Sequence, residues 1–213
     1  RFNNSSISFK SDEVRFELDE AGKPISVYKK ERKDAHLLVE DFMLLANREV
    51  AQFVAEKGKD QEIPFVYRVH DTPDPDRLTE FAQFAKQMGV DIHTDSPRAI
   101  ANSLNKLAGR AKEEPALRLL EPLAIRTMAK AEYTSDNIGH YGLAFDHYTH
   151  FTSPIRRYSD VLVHRLLERN LSGTFRMRKA KLEEMCQHIS QQERKAVNAE
   201  RESMKYKQVE FIR

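Results

Sequence analysis

Two adjacent arginines, Arg156 and Arg157, follow a Thr152-Ser153-Pro154 step inside residues 140–167, a stretch that also gathers His140, His147, His150, Tyr141, Tyr148 and Tyr158. That mixture suits an anion. A guanidinium can meet a phosphate through two parallel N–H bonds, and the Thr152 and Ser153 hydroxyls are further donors. Ser153 is a favoured N-cap and Pro154 a favoured first helical residue, so the spacing predicts a helix opening there, with free backbone N–H groups facing back over Thr152 and Ser153. Positive charge in a first turn opposes the helix dipole, and an anionic partner would explain the two arginines. The tyrosines add π-faces of the kind that single-stranded RNA stacks on. A purely structural reading stands beside this one: Ile155, Tyr158, Leu162 and Leu166 as the core face of the helix, and Arg157, Asp160 and His164 as an i, i+3, i+4 network.

The histidines admit three readings. A metal site would want more ligands at tight spacing than the nearby Asp146. Acid–base cleavage of a phosphodiester needs two imidazoles across the bond, which the spacing permits without specifying. Structural histidines hydrogen-bonded beside aromatics are the third. Asp71, Asp74 and Asp76 carry the oxygens a hard cation wants. Asp-Pro steps ahead of Leu78, Phe81, Phe84, Ala85 and Met88 are more simply a helix start with acids at its positive end. Glu40 and Asp41 interrupt the apolar series Leu37, Leu38, Phe42, Leu45, Val50 and Phe53. Two acids there are costly unless they face water, a cation or donors, and an exposed stripe is the plain reading.

These groups need a scaffold. Alternation at Val14, Phe16 and Leu18 and again at Ile25 and Val27, across a Gly22-Lys23-Pro24 turn, predicts a hairpin. The apolar series from Asp34 to Gly58 covers more than one stripe and predicts a helix buried on most sides. Residues 64–69 form a brief buried strand, and a helix follows the Asp-Pro steps up to Gly89. Ser96-Pro97 opens another through Ile100, Leu104 and Leu107 that Gly109 closes. Residues 115–131 give one more, with Arg126 and Lys130 on a solvent or ligand side, and residues 133–137 a polar connector. Past Gly173, the spacing of Leu182, Met185, Cys186, Ile189 and Ala196 predicts a long single-faced helix.

Composition narrows the classes. At 213 residues and 40% apolar content the chain can bury a real core. Its 35 basic against 33 acidic side chains leave a net charge of +2, so any basic site must be local. The single Cys186 excludes an internal disulfide and fits a reducing compartment. No apolar run approaches the roughly 18 residues of a membrane span, and Arg1-Phe2-Asn3-Asn4 does not resemble a signal peptide. The expectation is a soluble, cytoplasmic protein with no membrane partner, and an opening without Met points to a fragment.

Longer motifs carry a resemblance. Tyr148-Thr149-His150-Phe151-Thr152-Ser153-Pro154-Ile155-Arg156-Arg157-Tyr158, with Asp160 and His164-Arg165 after it, closely resembles the signature of the RNB (ribonuclease II/ribonuclease R) exoribonucleases. Glu31-Arg32-Lys33-Asp34-Ala35-His36, the run from Val39-Glu40-Asp41 to Ala46-Asn47, Tyr67-Arg68-Val69-His70 with Pro73-Asp74-Pro75, and Gly139-His140-Tyr141-Gly142-Leu143-Ala144 match in order and spacing, most like the bacterial ribonuclease R branch.

The resemblance implies an α+β, mainly helical fold: the C-terminal portion of an RNB catalytic domain with a short N-terminal strand/hairpin region. Residues 1–30 would be that region, 34–170 a helical body with the RNA and phosphate site, and 179–207 a long helix leading toward a missing S1 domain. It implies processive 3′-to-5′ hydrolysis of single-stranded RNA to nucleoside monophosphates by a two-metal mechanism. Arg156 would contact the scissile phosphate as the catalytic arginine, Glu40 would lie near the terminal nucleotide, and Phe9 would sandwich its base. His140, Tyr141, Ser153 and Arg126 would line the RNA channel. The magnesium-binding aspartates of the family lie before residue 1, as do the cold-shock domains and the N-terminal half of the RNB domain. Magnesium thus belongs to the parent enzyme, and these residues are expected to bind none and to be inactive alone. Two alternatives remain: a non-catalytic RNA-binding half-domain, and a metal-independent histidine nuclease.

Overall fold

A computed structural model describes residues 6–7, 14–58, 63–173 and 177–212. Strands Val14–Leu18 (β1) and Pro24–Lys29 (β2) pair antiparallel as predicted. Their turn closes because Asp19 Oδ1 accepts from Lys23 N at 2.8 Å and Gly22 takes φ +78°, a conformation open to glycine. Helix α1 (Asp34–Lys57) follows, then a short strand β3 (Tyr67–Val69) preceded by the fully buried Phe65 and Val66.

Caps set the next two helices where the sequence placed them. Asp74 accepts from Asp76 N and Arg77 N at 3.1 Å each and Pro75 begins α2 (Pro75–Gln87), so Asp74 is occupied as a cap. Ser96 Oγ likewise accepts from Ala99 N ahead of Pro97 in α3 (Pro97–Glu113). Gly109 does not end α3, contrary to expectation. The buried Leu107, Ala108 and Ala111 carry the helix past it, and it stops at Glu114, forced into extended backbone by Pro115. The single helix expected over 115–131 divides into a 3₁₀ turn (Pro115–Leu119) and α4 (Leu120–Thr127). Residues 133–137 are not merely a connector: Glu132–Thr134 forms β4, antiparallel to β3 with Arg68 opposite Tyr133. Helices α5 (Tyr158–Ser172) and α6 (Lys179–Ile212) complete the described chain. The result is α+β and mainly helical. No helix among the described residues is long and apolar enough to cross a membrane.

Two cores form. One joins Ala51 and Val54 of α1, Phe65, Val66 and Tyr67, Tyr133, Leu162 and Leu166 of α5, and Leu182 and Cys186 of α6. The other joins α2, α3 and α4 through Leu78, Phe81, Leu104, Leu107, Leu120 and Ala124. Helix α1 departs from the expected all-round burial. Among its residues only Asn47, Ala51 and Val54 are buried, while Leu38, Val39 and Phe42 stand 58–63% exposed. Hydrophobicity states that a face needs cover, not which chain supplies it.

Packed imidazole and phenol rings run along the loop from Gly139 to His150. Tyr141 and His140 each stack on His70, at 6.3 and 5.1 Å. His140 meets Tyr148 edge-on at 5.2 Å, Tyr148 meets His150 at 5.8 Å, and His150 Nδ1 shares a 2.7 Å hydrogen bond with the Tyr133 hydroxyl. Burial drives the His140 and His150 pKa values down to about 3, with His70 adding to the effect on His140 and Arg157 to that on His150.

Above about pH 6.5 both rings are neutral folded and unfolded; as pH falls from 6.5 toward 3 the unfolded chain takes up protons that the folded chain refuses. Stability therefore drops on acidification, by on the order of 2 kcal/mol per ring at pH 5, measurable as a falling urea midpoint between pH 7.5 and 5. A midpoint flat over that range contradicts the assignment. In the second core, Leu104→Ala removes a fully buried side chain and is expected to cost about 2–5 kcal/mol in the same assay.

Candidate active site

The arginine pair is carried on a segment, residues 150–157, that is neither helix nor strand. It leaves the core where Thr149 Oγ1 donates to Val66 O at 2.7 Å and Arg68 N donates to Tyr148 O at 2.9 Å. Phe151 then stacks on His164 at 4.1 Å, and His164 Nε2 lies 2.9 Å from Phe151 O. The next amides turn toward buried side chains: Phe151 N and Thr152 N donate to Asn47 Oδ1 at 2.9 and 3.2 Å, and Ser153 N donates to Asp160 Oδ1 at 2.7 Å.

Ser153 and Pro154 do not open a helix. Ser153 O accepts from Arg156 N at 3.3 Å and Arg157 N at 3.1 Å, closing one turn with Pro154 in second place, where its fixed φ suits a β-turn equally well. Helix α5 begins at Tyr158, with Arg157 as its N-cap and no side-chain cap. Asp160, three residues in, reaches back to that turn. It is fully buried and accepts from Ser153 N, from Arg157 Nη2 at 2.9 Å and from Ser159 Oγ at 3.0 Å. The expected Arg157–Asp160 pair is thus present, whereas His164 stacks on Phe151 instead of joining it. Ile155 and Tyr158, read as core positions, are 102% and 53% exposed, while Leu162 is buried as expected. The turn lifts 154–156 off the helix face that periodicity assumed.

The two arginines separate. Arg157 is spent on Asp160. The exposed Arg156 guanidinium makes a 3.5 Å contact with Ser153 Oγ and has no ion pair among the described residues. It borders an open groove of about 850 Å³ whose other wall is α6, with Met185, His188 and Ile189 facing in and Tyr133 among the lining residues. The Thr152 hydroxyl, expected to help with phosphate, is instead buried without a partner among the described residues.

Other predicted residues fall elsewhere. His140 caps a 3₁₀ turn (Tyr141–Leu143), its Nδ1 accepting from Leu143 N at 3.2 Å, and Tyr141 donates its hydroxyl to Pro97 O at 2.9 Å, with burial pushing its pKa up to about 12. Both line a second cavity of about 510 Å³, shared with His70, Arg98 and Phe145. Glu40 is partly exposed on α1 and paired with Arg32, and Arg126 stands exposed at the end of α4; neither lines either cavity. Phe9 lies outside the described residues. No group of three or more His, Cys, Asp or Glu able to hold a metal exists among the described residues. His140 and His150 each pack edge-on against the Tyr148 ring, at 5.2 and 5.8 Å.

Sequence reasoning passed over what supports the turn. Arg68 lies 4.5 Å over the Tyr133 ring and pairs with Glu193 of α6 at 2.6 Å. Glu183 accepts from Thr134 Oγ1, Ser135 N and Ser135 Oγ, bonds that outweigh the cost of burial and hold its carboxyl below the usual range. Asn47, only 3% exposed, had a legible signal: a polar residue with poor helix propensity inside an apolar helical run.

Comparison with known proteins places this geometry. A family profile described as RNB domain matches residues 1–173. Ribonuclease R 1 of Lactococcus lactis is 38% identical over 217 aligned residues, covering 100% of this chain and 26% of that protein. Ribonuclease R of Aquifex aeolicus is 37% identical, covering 100% of this chain and 30% of its own length. The fold is similar to that of Mycoplasma genitalium RNase R in complex with ribose methylated single-stranded RNA, with a TM-score of 0.86 at 28% identity over 99% of this chain and 33% of that one. The chain spans about a third or less of the length of these relatives. With the signature turn folded as described and the profile matching most of the chain, it belongs to the RNB domain family.

Proposed function

We propose that these residues supply the phosphate-gripping side of the active centre of a 3′-to-5′ processive exoribonuclease that releases nucleoside monophosphates from single-stranded RNA. One observation carries this reading: of two neighbouring arginines, Arg157 is neutralised by a buried carboxylate while Arg156 is left exposed on the turn that the family signature encodes. Membership of the RNB family and likeness to an RNase R solved with single-stranded RNA support the choice of RNA as the anion. Arg156 would hold the scissile phosphate in a forked contact and stabilise charge that grows on its oxygens. Ser153 would assist beside it. Tyr141, its hydroxyl committed to Pro97, would offer its ring to a base, His140 would line the same part of the RNA path, and Arg126 would meet backbone phosphate. Glu40 and Phe9 would act near the terminal nucleotide.

The family implies magnesium and a two-metal hydrolysis. The described residues do not fit as its ligands, because no three suitable side chains meet and the best-placed carboxylate, Asp160, is closed off by three donors. Taken alone, the 213 residues would not cut RNA.

In the full-length protein with magnesium and 3′-tailed RNA, Arg156→Ala should lower the cleavage rate by roughly 10²–10³-fold while RNA affinity changes little. Cleavage within threefold of the unaltered protein would refute the assignment. Residues 1–213 by themselves should release no nucleoside monophosphate; magnesium-dependent release from them would sink the half-site reading.

A further inference from the structure

The Arg156 turn belongs to no regular element, so its shape rests on bonds from outside it. Three successive amides supply them. Phe151 N and Thr152 N go to Asn47 Oδ1, Ser153 N goes to Asp160 Oδ1, and the two acceptors come from helices α1 and α5 on either side. Neither Phe151 N nor Thr152 N has another acceptor among the described residues. Asn47 is fixed in its turn, because its Nδ2 donates to the Tyr148 hydroxyl at 3.1 Å, which orients the amide so that Oδ1 faces the turn. At 3% exposure it cannot touch RNA. Nor does the helix favour it, since asparagine in a helix interior is worse than alanine by several tenths of a kcal/mol. Its use lies more than a hundred residues away in sequence.

We infer that Asn47 is a positioning residue for Arg156: its side-chain carbonyl clamps two consecutive amides of the turn and so sets where the Arg156 guanidinium meets phosphate. The inference rests on the reading of Arg156 as the phosphate-contacting residue. Misplacing such a group by about 1 Å costs roughly a hundredfold in rate, so loss of the clamp slows cleavage without weakening RNA binding at surfaces Asn47 never reaches.

The test uses the full-length protein, with single-turnover cleavage, RNA affinity, and hydrogen–deuterium exchange of the peptide spanning residues 148–157. Asn47→Leu keeps the volume and removes the acceptor; Asn47→Ala, which suits the helix, replaces it if leucine fails to pack. Asn47→Asp keeps an acceptor and can take its third bond from the Tyr148 hydroxyl. The expected result is faster exchange in that peptide and a ten- to hundredfold slower cleavage for Asn47→Leu at unchanged RNA affinity, with Asn47→Asp within threefold of the unaltered protein on both. Added to Arg156→Ala, Asn47→Leu should slow cleavage by less than a further threefold, because it acts through a side chain already removed. Full multiplication of the two effects overturns the positioning role, as does normal cleavage by Asn47→Leu when Arg156→Ala is impaired. Should Arg156→Ala itself cleave normally, the reading of Arg156 falls and this inference with it, while the exchange data still report separately on the clamp.

Discussion

The carboxylate of Asp160 is the constraint on which this structure turns. It is fully buried and near the N-terminus of α5, where the helix dipole favours a negative charge, and its oxygens take an arginine, a backbone amide and a hydroxyl. A buried charge is tolerated only when its hydrogen bonds are complete, and withdrawing one partner typically costs 3–5 kcal/mol. That requirement fixes more than stability. It obliges Arg157 to fold inward, obliges Ser153 to present its amide, and so bends the chain into the turn that leaves Arg156 outside. The chemistry of an exposed cation is here a by-product of satisfying an interior anion.

Around that carboxylate the other polar contacts form a single frame. Asn47 arrives from α1, Thr149 ties the segment to the backbone of Val66, and Tyr133 reaches His150 from β4. Strand β4 is itself fastened to α6, by Ser190 Oγ accepting from Tyr133 N at 2.9 Å and by Glu183 bonding Thr134 and Ser135. Nearly every one of these bonds joins residues far apart in sequence. Cys186, in the same frame, has its thiol pushed up to about 12 by burial, with the Glu183 charge adding to it, and behaves as a small apolar side chain.

That distribution explains what could be read from sequence. The hairpin and the Asp74-Pro75 and Ser96-Pro97 helix starts depend on local turn and cap chemistry, and they stand where the residues predicted; α6 follows from apolar spacing and runs to Ile212, past the expected end at 207. The strand β4 was lost because three residues with one apolar side chain carry no period, and its partner lies more than sixty residues away. Ser153-Pro154 is a signal shared by helix starts and β-turns, and only Asp160, through a tertiary contact, decides between them. Periodicity put Ile155 inside for the same reason and erred for the same reason. Local chemistry left Arg156 and Arg157 equivalent as phosphate ligands. Resemblance to the family singled out Arg156, and the structure supplies a physical ground for the difference in the ion pair that occupies its neighbour.

Helix α6, at 34 residues, is about 51 Å long. Its first half is the far wall of the groove beside Arg156 and is fastened there through Glu183, Ser190 and Glu193. Its far end supports the hairpin, where Lys207 donates to Gly22 O and Phe211 packs 6.0 Å from Phe16. One continuous rod therefore serves as both wall and bracket. The same helix that walls the groove through Met185, His188 and Ile189 thus also carries the hairpin through Lys207 and Phe211.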